Sequence, residues 1–556
     1  MRWKLLVSLI VITVLLLTSI VVIAGEREEV EYEPVEIKKV DHTEFFKEAN
    51  ITEYEGSKTC ISCHEDEVYE VFHSYHYQMA SQINDIAGRE LILFGGRFAY
   101  NDFCGAIFWR GQKPVNWIGK PVLKKAPEEY KELEGKFIGL TGCSMCHGVG
   151  MGLPPSFEET KEQLNNIDCL ACHADPKVYM SGPIAIKKGL KDVYKDENGK
   201  LRYKINIDIW TIAKSITDKT NKDNCLACHA FSGGGPHLKR PNLSPDLLGK
   251  VDESFDIHMA KGLSCIDCHP GDDHGFPVKA ADSWSREEGI SLTCEDCHTP
   301  EPHGGVKGAF INTFHDKVAC QTCHIPYIAH GDYPTALWRD WSAATFHPEM
   351  NRWKFSIPDL DTKATDKWYL AGNVTPVYAW YNGKREVYVF PEKVEPIKNS
   401  EFELTPVNGE SLGVIYYVKP VGSKDDPDSK IYPFKLHRAV VPYSIANKTL
   451  VPIKAGIAFT TGNVTLATLK GAEATGIKWE PGKYVTLIRF MQVDHGVKPA
   501  EDALSCLNCH GPTIRRMNWA ELGYGYFPEI AFIGITGLVV AAVAGSVFWL
   551  VRRWRR

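Results

Sequence analysis

One pentapeptide constrains this chain more than any other feature: Cys-x-x-Cys followed at once by histidine occurs eight times. The copies are Cys60, Cys63 and His64; Cys143, Cys146 and His147; Cys169, Cys172 and His173; Cys225, Cys228 and His229; Cys265, Cys268 and His269; Cys294, Cys297 and His298; Cys320, Cys323 and His324; and Cys506, Cys509 and His510. Chance would supply roughly 0.02 such pentapeptides at this Cys and His content. Paired cysteines can also bind zinc, but zinc does not require a histidine at the same place eight times. Two thioethers attach a haem to each such motif, and the histidine after the second cysteine is then placed to ligate the iron. The motifs therefore imply eight covalently bound haem c groups.

Seven of the eight motifs lie between Cys60 and His324, about one for every 38 residues, too dense for an ordinary apolar core. Gly and Pro interrupt this stretch throughout, as in Ser232 to Pro236 and Thr299 to Gly305. The expected fold is a multihaem cytochrome c: irregular, loop-rich, with short α-helices packed on the haems. From Ile325 to Ala503 there is no motif, and β-branched and aromatic runs alternate with turn signals. Val377 to Tyr381, Asn382-Gly383 and Arg385 to Phe390 read as a hairpin, and Tyr484 to Val493 as a further strand. This gives a seven-haem region over 55–330, and a β-rich insertion with the eighth haem over 331–525.

The ends of the chain carry a different signal. Leu5 to Ala24 is an uncharged run after Arg2 and Lys4, a signal peptide or retained signal anchor over 1–24. Residues 25–54 begin with five glutamates between Glu26 and Pro34 and read as a solvated spacer. Ile530 to Val551 is a second apolar run, long enough at helical rise to span a bilayer. Arg552, Arg553, Arg555 and Arg556 follow it, so 552–556 reads as a cytoplasmic basic tail below a C-terminal transmembrane helix. Both ends place the bulk of the chain on the extracytoplasmic side of the cell membrane. A formal net charge of −6 over 556 residues offers no basic field for nucleic acid.

Twelve histidines lie outside the motifs and can supply axial ligands on the far side of the irons. The best placed by sequence are His76, His237, His258, His274, His303, His315, His437 and His495, several within a few residues of a motif. His73 competes with His76, while His42, His330 and His347 read as surface or second-layer histidines. An iron with two histidines only transfers electrons; one with a weak or missing sixth ligand can do chemistry. Cys104 belongs to no motif, and an unpaired thiol in an exported protein is either buried and inert or functional.

Asn101-Asp102-Phe103-Cys104, Asp168 to His173, Asp256 to Met259, Val318 to Pro326, Pro433 to His437 and Pro499 to His510 together resemble the octahaem tetrathionate reductase family of multihaem cytochromes c, over roughly residues 55 to 525. The resemblance implies an active site at the second-motif haem, with Cys104 beside it and a lysine amine as unusual axial ligand, supplied shortly after the third motif. Aligned on Tyr179, the lysine position here holds Met180. Lys177 with a shifted loop, Met180 as thioether ligand, or an open iron are the alternatives. The activity implied is reduction of a small inorganic compound (tetrathionate, nitrite or hydroxylamine), with electrons from a quinol-oxidising membrane complex or another cytochrome c. The rival is a non-catalytic conduit between the membrane and an external acceptor.

Overall fold

The computed structural model describes residues 32–110, 113–119, 125–135, 141–278, 293–348, 352–354, 370–510 and 516–525, with five isolated positions beyond them. Apart from those positions, the apolar runs Leu5 to Ala24 and Ile530 to Val551 and the basic tail lie outside the described residues, as do residues 25–31. The rest of the expected spacer is not solvated throughout, since Thr43–Glu48 is a helix and Phe46 and Tyr54 are buried in a core cluster. Among the described residues no helix is long and apolar enough to cross a membrane.

The haem motifs are built as single turns. The amide of the motif histidine donates to the carbonyl of the first cysteine, as at His64 to Cys60 (2.9 Å), His298 to Cys294 (2.7 Å) and His510 to Cys506 (2.9 Å). One helical turn puts residues i, i+3 and i+4 on a common face, so both thiols and the imidazole project together. The residue before the first cysteine closes several of these turns with a capping box, as Ser264 with Asp267, Thr293 with Asp296 and Ser505 with Asn508. The side chain three residues on accepts from the capping residue's amide. Longer helices are few; α1 (Gly305–Phe314) runs ten residues between the sixth and seventh motifs. Apolar side chains here form separate small clusters, such as Val68, Phe72, Tyr77, Leu164 and Ile167.

The region after the seventh motif is organised by a mixed sheet. Its strands are β1 (Trp338–Asp340), β2 (Val377–Tyr381), β3 (Arg385–Val387), β4 (Glu410–Pro420), β5 (Lys430–Ser444), β6 (Thr449–Leu450) and β7 (Lys483–Gln492). The order is β1-β5-β7-β4-β3, with β2 and β6 also paired to β5. β5 and β7 are antiparallel, with His437 opposite Arg489, while β7 runs parallel to β4. Nine of the ten β7 residues are buried, which explains why its sequence is nearly continuous rather than alternating in hydrophobicity. The strand expected over Tyr484 to Val493 is this one.

The expected hairpin is corrected. Its first strand is present and its second is shortened to Arg385–Val387, with Gly383 at φ +88° between them, but the strands do not pair with each other. β2 pairs with β5, and β3 with β4. The turn's backbone bonds outward, Asn382 donating to Val421 and Val421 to Lys384, both at 2.9 Å, so the strands diverge to different partners.

The sheet is not a free module. Helices α2 (Ala455–Thr461) and α3 (Val464–Thr475) pack on it, and its core takes in Ile83, Phe94, Tyr100 and Ile107 from the haem-bearing part. A Cβ on Gly471 in α3 would lie 1.7 Å from the Pro452 carbonyl oxygen, a backbone contact that no rotamer relieves. Gly471→Ala is expected to lower the stability of the haem-loaded protein by ~1–3 kcal/mol, read as a fall in the midpoint of thermal unfolding.

Candidate functional site

Two imidazoles bound through Nε2 to one iron set their ring centres ~6 Å apart, since each Fe–N bond is about 2 Å. Seven of the eight motif histidines face a second histidine at this separation. His64 faces His42 at 6.3 Å, His173 faces His274 at 6.1 Å, and His229 faces His76 at 6.3 Å. His269 faces His495 at 6.4 Å, His298 faces His258 at 5.9 Å, His324 faces His303 at 6.1 Å, and His510 faces His315 at 6.0 Å. In several of these rings Nδ1 is already bonded: His42 to Val40 O, His173 to Thr217 O, His269 to Pro277 O, His274 to Glu70 and His303 to Asn312, all within 2.7–2.9 Å. Such bonds orient the ring and leave Nε2 for a metal. The residues fit a haem iron between each pair.

Three assignments read from the sequence change. His42, read as a surface or second-layer histidine, stands opposite His64. His237 and His437, expected as axial ligands, face no motif histidine among the described residues. His237 Nδ1 bonds the Tyr333 carbonyl at 2.6 Å and its Nε2 accepts from the Asn242 amide at 2.9 Å. His437 donates to Asp102 at 2.7 Å and stacks on Phe103 at 3.8 Å.

Contacts between motif thiols give the spatial order of the attachment sites, which the sequence does not disclose. Cys60 of the first motif lies beside Cys169 of the third, and Cys172 of the third lies beside Cys225 and Cys228 of the fourth. Cys225 lies beside Cys265 of the fifth, Cys268 beside Cys297 of the sixth, Cys294 beside Cys320 of the seventh, and Cys323 beside Cys509 of the eighth. The second motif joins this line from the side, through Cys146 and Cys228 of the fourth. A continuous cavity of about 3030 Å³ runs along motifs two to seven, several times the ~300–1,000 Å³ of a small-molecule pocket and suited to a string of large apolar groups. Among the described residues no three or more His, Cys, Asp or Glu side chains gather as a zinc site requires.

The second motif differs from the others. His147 is packed by the Phe108 ring at 4.9 Å, and among the described residues no histidine takes the facing position. The same cavity is lined by Cys104, Lys239 and Arg240. Burial first, then the charges of Lys239 and Arg240, push the His147 imidazole down to about 3, so it is held neutral, as a ligand must be. Burial also lowers the Lys239 amine to about 7, with Arg489 and Arg240 adding to the effect. Burial raises the Cys104 thiol, against the opposing pull of Arg339 and Lys239, so it is a thiol rather than a thiolate at neutral pH.

Neither Lys177 nor Met180 lines this cavity. Tyr179 donates to buried Asp168 at 2.8 Å, which pins the segment; Lys177 is exposed and Met180 is buried. Lys239 is the basic residue that sequence reasoning missed, because it follows the fourth motif rather than the third.

The Cys104 loop is locked by the sheet. Asp102 receives His437 Nδ1 from β5 at 2.7 Å and Arg489 Nη1 from β7 at 3.0 Å, and its carbonyl accepts from Trp341 Nε1 at 3.1 Å. Burial opposes ionisation of Asp102, but Arg489 and then His437 overcome it and hold the carboxyl far below the usual range. Gly105, at φ +58°, lets the chain turn under Trp341 and Ile453. Asp102→Asn removes the carboxylate that Arg489 and His437 both hold and is expected to cost ~3–5 kcal/mol. Because the folded pKa is depressed, the stabilisation is complete above the unfolded value of about 3.9 and is lost as pH falls below it. Thermal unfolding of the haem-loaded protein against pH should show a steeper acid loss in wild type than in Asp102→Asn.

Residues 251–325 match the family model "Cytochrome c7 and related cytochrome c", and residues 336–513 match "Cytochrome c bacterial". An uncharacterised protein of Archaeoglobus fulgidus is 57% identical over 281 residues, which make up 50% of this chain and 94% of that protein. Among solved structures, the octaheme cytochrome c from Shewanella oneidensis superposes with a TM-score of 0.59 at 25% identity, covering 85% of this chain and 94% of that one. With its thioether motifs and matching imidazole pairs, the chain is a multihaem c-type cytochrome that belongs to the same family as the Archaeoglobus fulgidus protein.

Proposed function

We propose that this protein is a membrane-anchored, extracytoplasmic octahaem reductase whose substrate site lies at the second motif. The observation that carries this reading is the exception at His147: seven motif histidines face a second imidazole, and this one faces Phe108's side of a cavity instead. Haem c bound at these motifs supplies one-electron carriers, and at an iron lacking a second histidine it supplies a position for a small ligand. The resemblance to the octahaem tetrathionate reductase family points to the same motif.

The surrounding residues suit an anion. Lys239, Arg240, Arg339 and Arg489 bring four basic groups to the region of Cys104, with the buried carboxylate of Asp102 among them. A cleft dominated by one sign of charge concentrates ligands of the other, which favours tetrathionate or nitrite over neutral hydroxylamine. Lys239, with its amine near neutrality, is matched to proton donation at working pH. Cys104 stays a neutral thiol, a donor or contact rather than a charged nucleophile. This assigns Lys239 the place that Lys177 and Met180 were expected to fill.

The test is steady-state turnover of the haem-loaded protein with reduced viologen as donor and each of the three compounds as acceptor. Tetrathionate or nitrite should be reduced, and Lys239→Met should lower kcat by ~10²–10⁴-fold, the usual weight of a general acid, without changing the haem absorbance. Absence of turnover with every acceptor would leave electron conduction as the function.

A further inference from the structure

The eighth motif ends the line of attachment sites, and an apolar surface surrounds it. Phe310 and Phe314 on α1 are 53% and 67% exposed, and Leu507, between the two cysteines of the eighth motif, is 56% exposed. A chain of ring contacts ties α1 to that motif: Phe314 to Phe310 at 4.7 Å, Phe310 to His315 at 6.1 Å, and His315 to His510 at 6.0 Å. It continues from His510 to Trp519 at 5.3 Å with the rings stacked, and from Trp519 to Tyr524 at 5.8 Å. Asp316, just after α1, lies close enough to bear on the Tyr524 phenol. A haem held between His315 and His510 would add its own apolar edge to this face.

The length of chain beyond this point says what covers it. The apolar run begins at Ile530, six residues after Tyr524, and six residues reach at most ~22 Å. A bilayer-spanning run tethered that tightly brings the face with Tyr524 against the membrane surface. Phe310, Phe314, Leu507 and Tyr524, all exposed, are residue types that settle at a membrane–water interface.

We infer that the Phe310–Phe314–Leu507 face rests on the lipid bilayer, which makes the eighth motif the site where the protein exchanges electrons with the membrane. The inference rests on the proposed anchor at 530–551. It gives the string of motifs a direction: the eighth at the membrane, the second beside the substrate cavity, joined through the fourth.

The full-length, haem-loaded protein in phosphatidylcholine vesicles, labelled with a carbene reagent confined to the hydrocarbon phase, tests this. Label should appear in 530–551 and in 305–314, several-fold above Phe45 and Leu91, which are 61% and 58% exposed elsewhere and serve as internal controls. Label in 530–551 with none above control in 305–314 would overturn the docked face while leaving the anchor. Label in neither segment would overturn the anchor reading and the docking with it.

Discussion

The haem-bearing part of the chain depends on imidazoles held in facing pairs. Each pair joins segments remote in sequence: His76 reaches the fourth motif, His274 the third, His495 the fifth. An iron between such partners closes long loops, and closure of long loops is costly for a chain to achieve through apolar contacts alone. The small, separate apolar clusters and the single-turn motif helices follow from this. Where the cofactor is the core, the polypeptide needs only to present thiols, imidazoles and Nδ1 acceptors at the right places.

The sheet does what the haem-bearing part cannot. It provides a conventional buried core, and two of its central strands put His437 and Arg489 opposite each other, where both close on Asp102. That clamp fixes the loop bearing Cys104, which lines the same cavity as His147. The sheet thus bears on the motif that, among the described residues, has no facing histidine, and the two parts share a core.

The haem-attachment motif is legible in the sequence, because the residues that would form both thioethers and one axial ligand sit in five consecutive residues. The distal partners are not, since sequence proximity to a motif carries no information about which iron a histidine faces. His274 follows the fifth motif but faces the third, and His303 follows the sixth but faces the seventh. His42 lies far upstream of its motif, so nothing local marks it as a partner, and His437 has the look of a ligand although its ring serves Asp102. The strands flanking Asn382-Gly383 are readable from β-propensity and turn chemistry, yet their partners are set by packing against β4 and β5. Lys239 is hidden because nothing in the local sequence shows that the turn after the fourth motif folds back toward the second.

The motif of Cys143, Cys146 and His147 is proposed to have a chemistry that the other motifs lack. Electron paramagnetic resonance of the oxidised, haem-loaded protein, before and after addition of nitrite and tetrathionate, measures this directly. The predicted result is seven low-spin haems that ignore both compounds and one that changes spin state or binds the added ligand. Eight low-spin haems, all unresponsive, would contradict it.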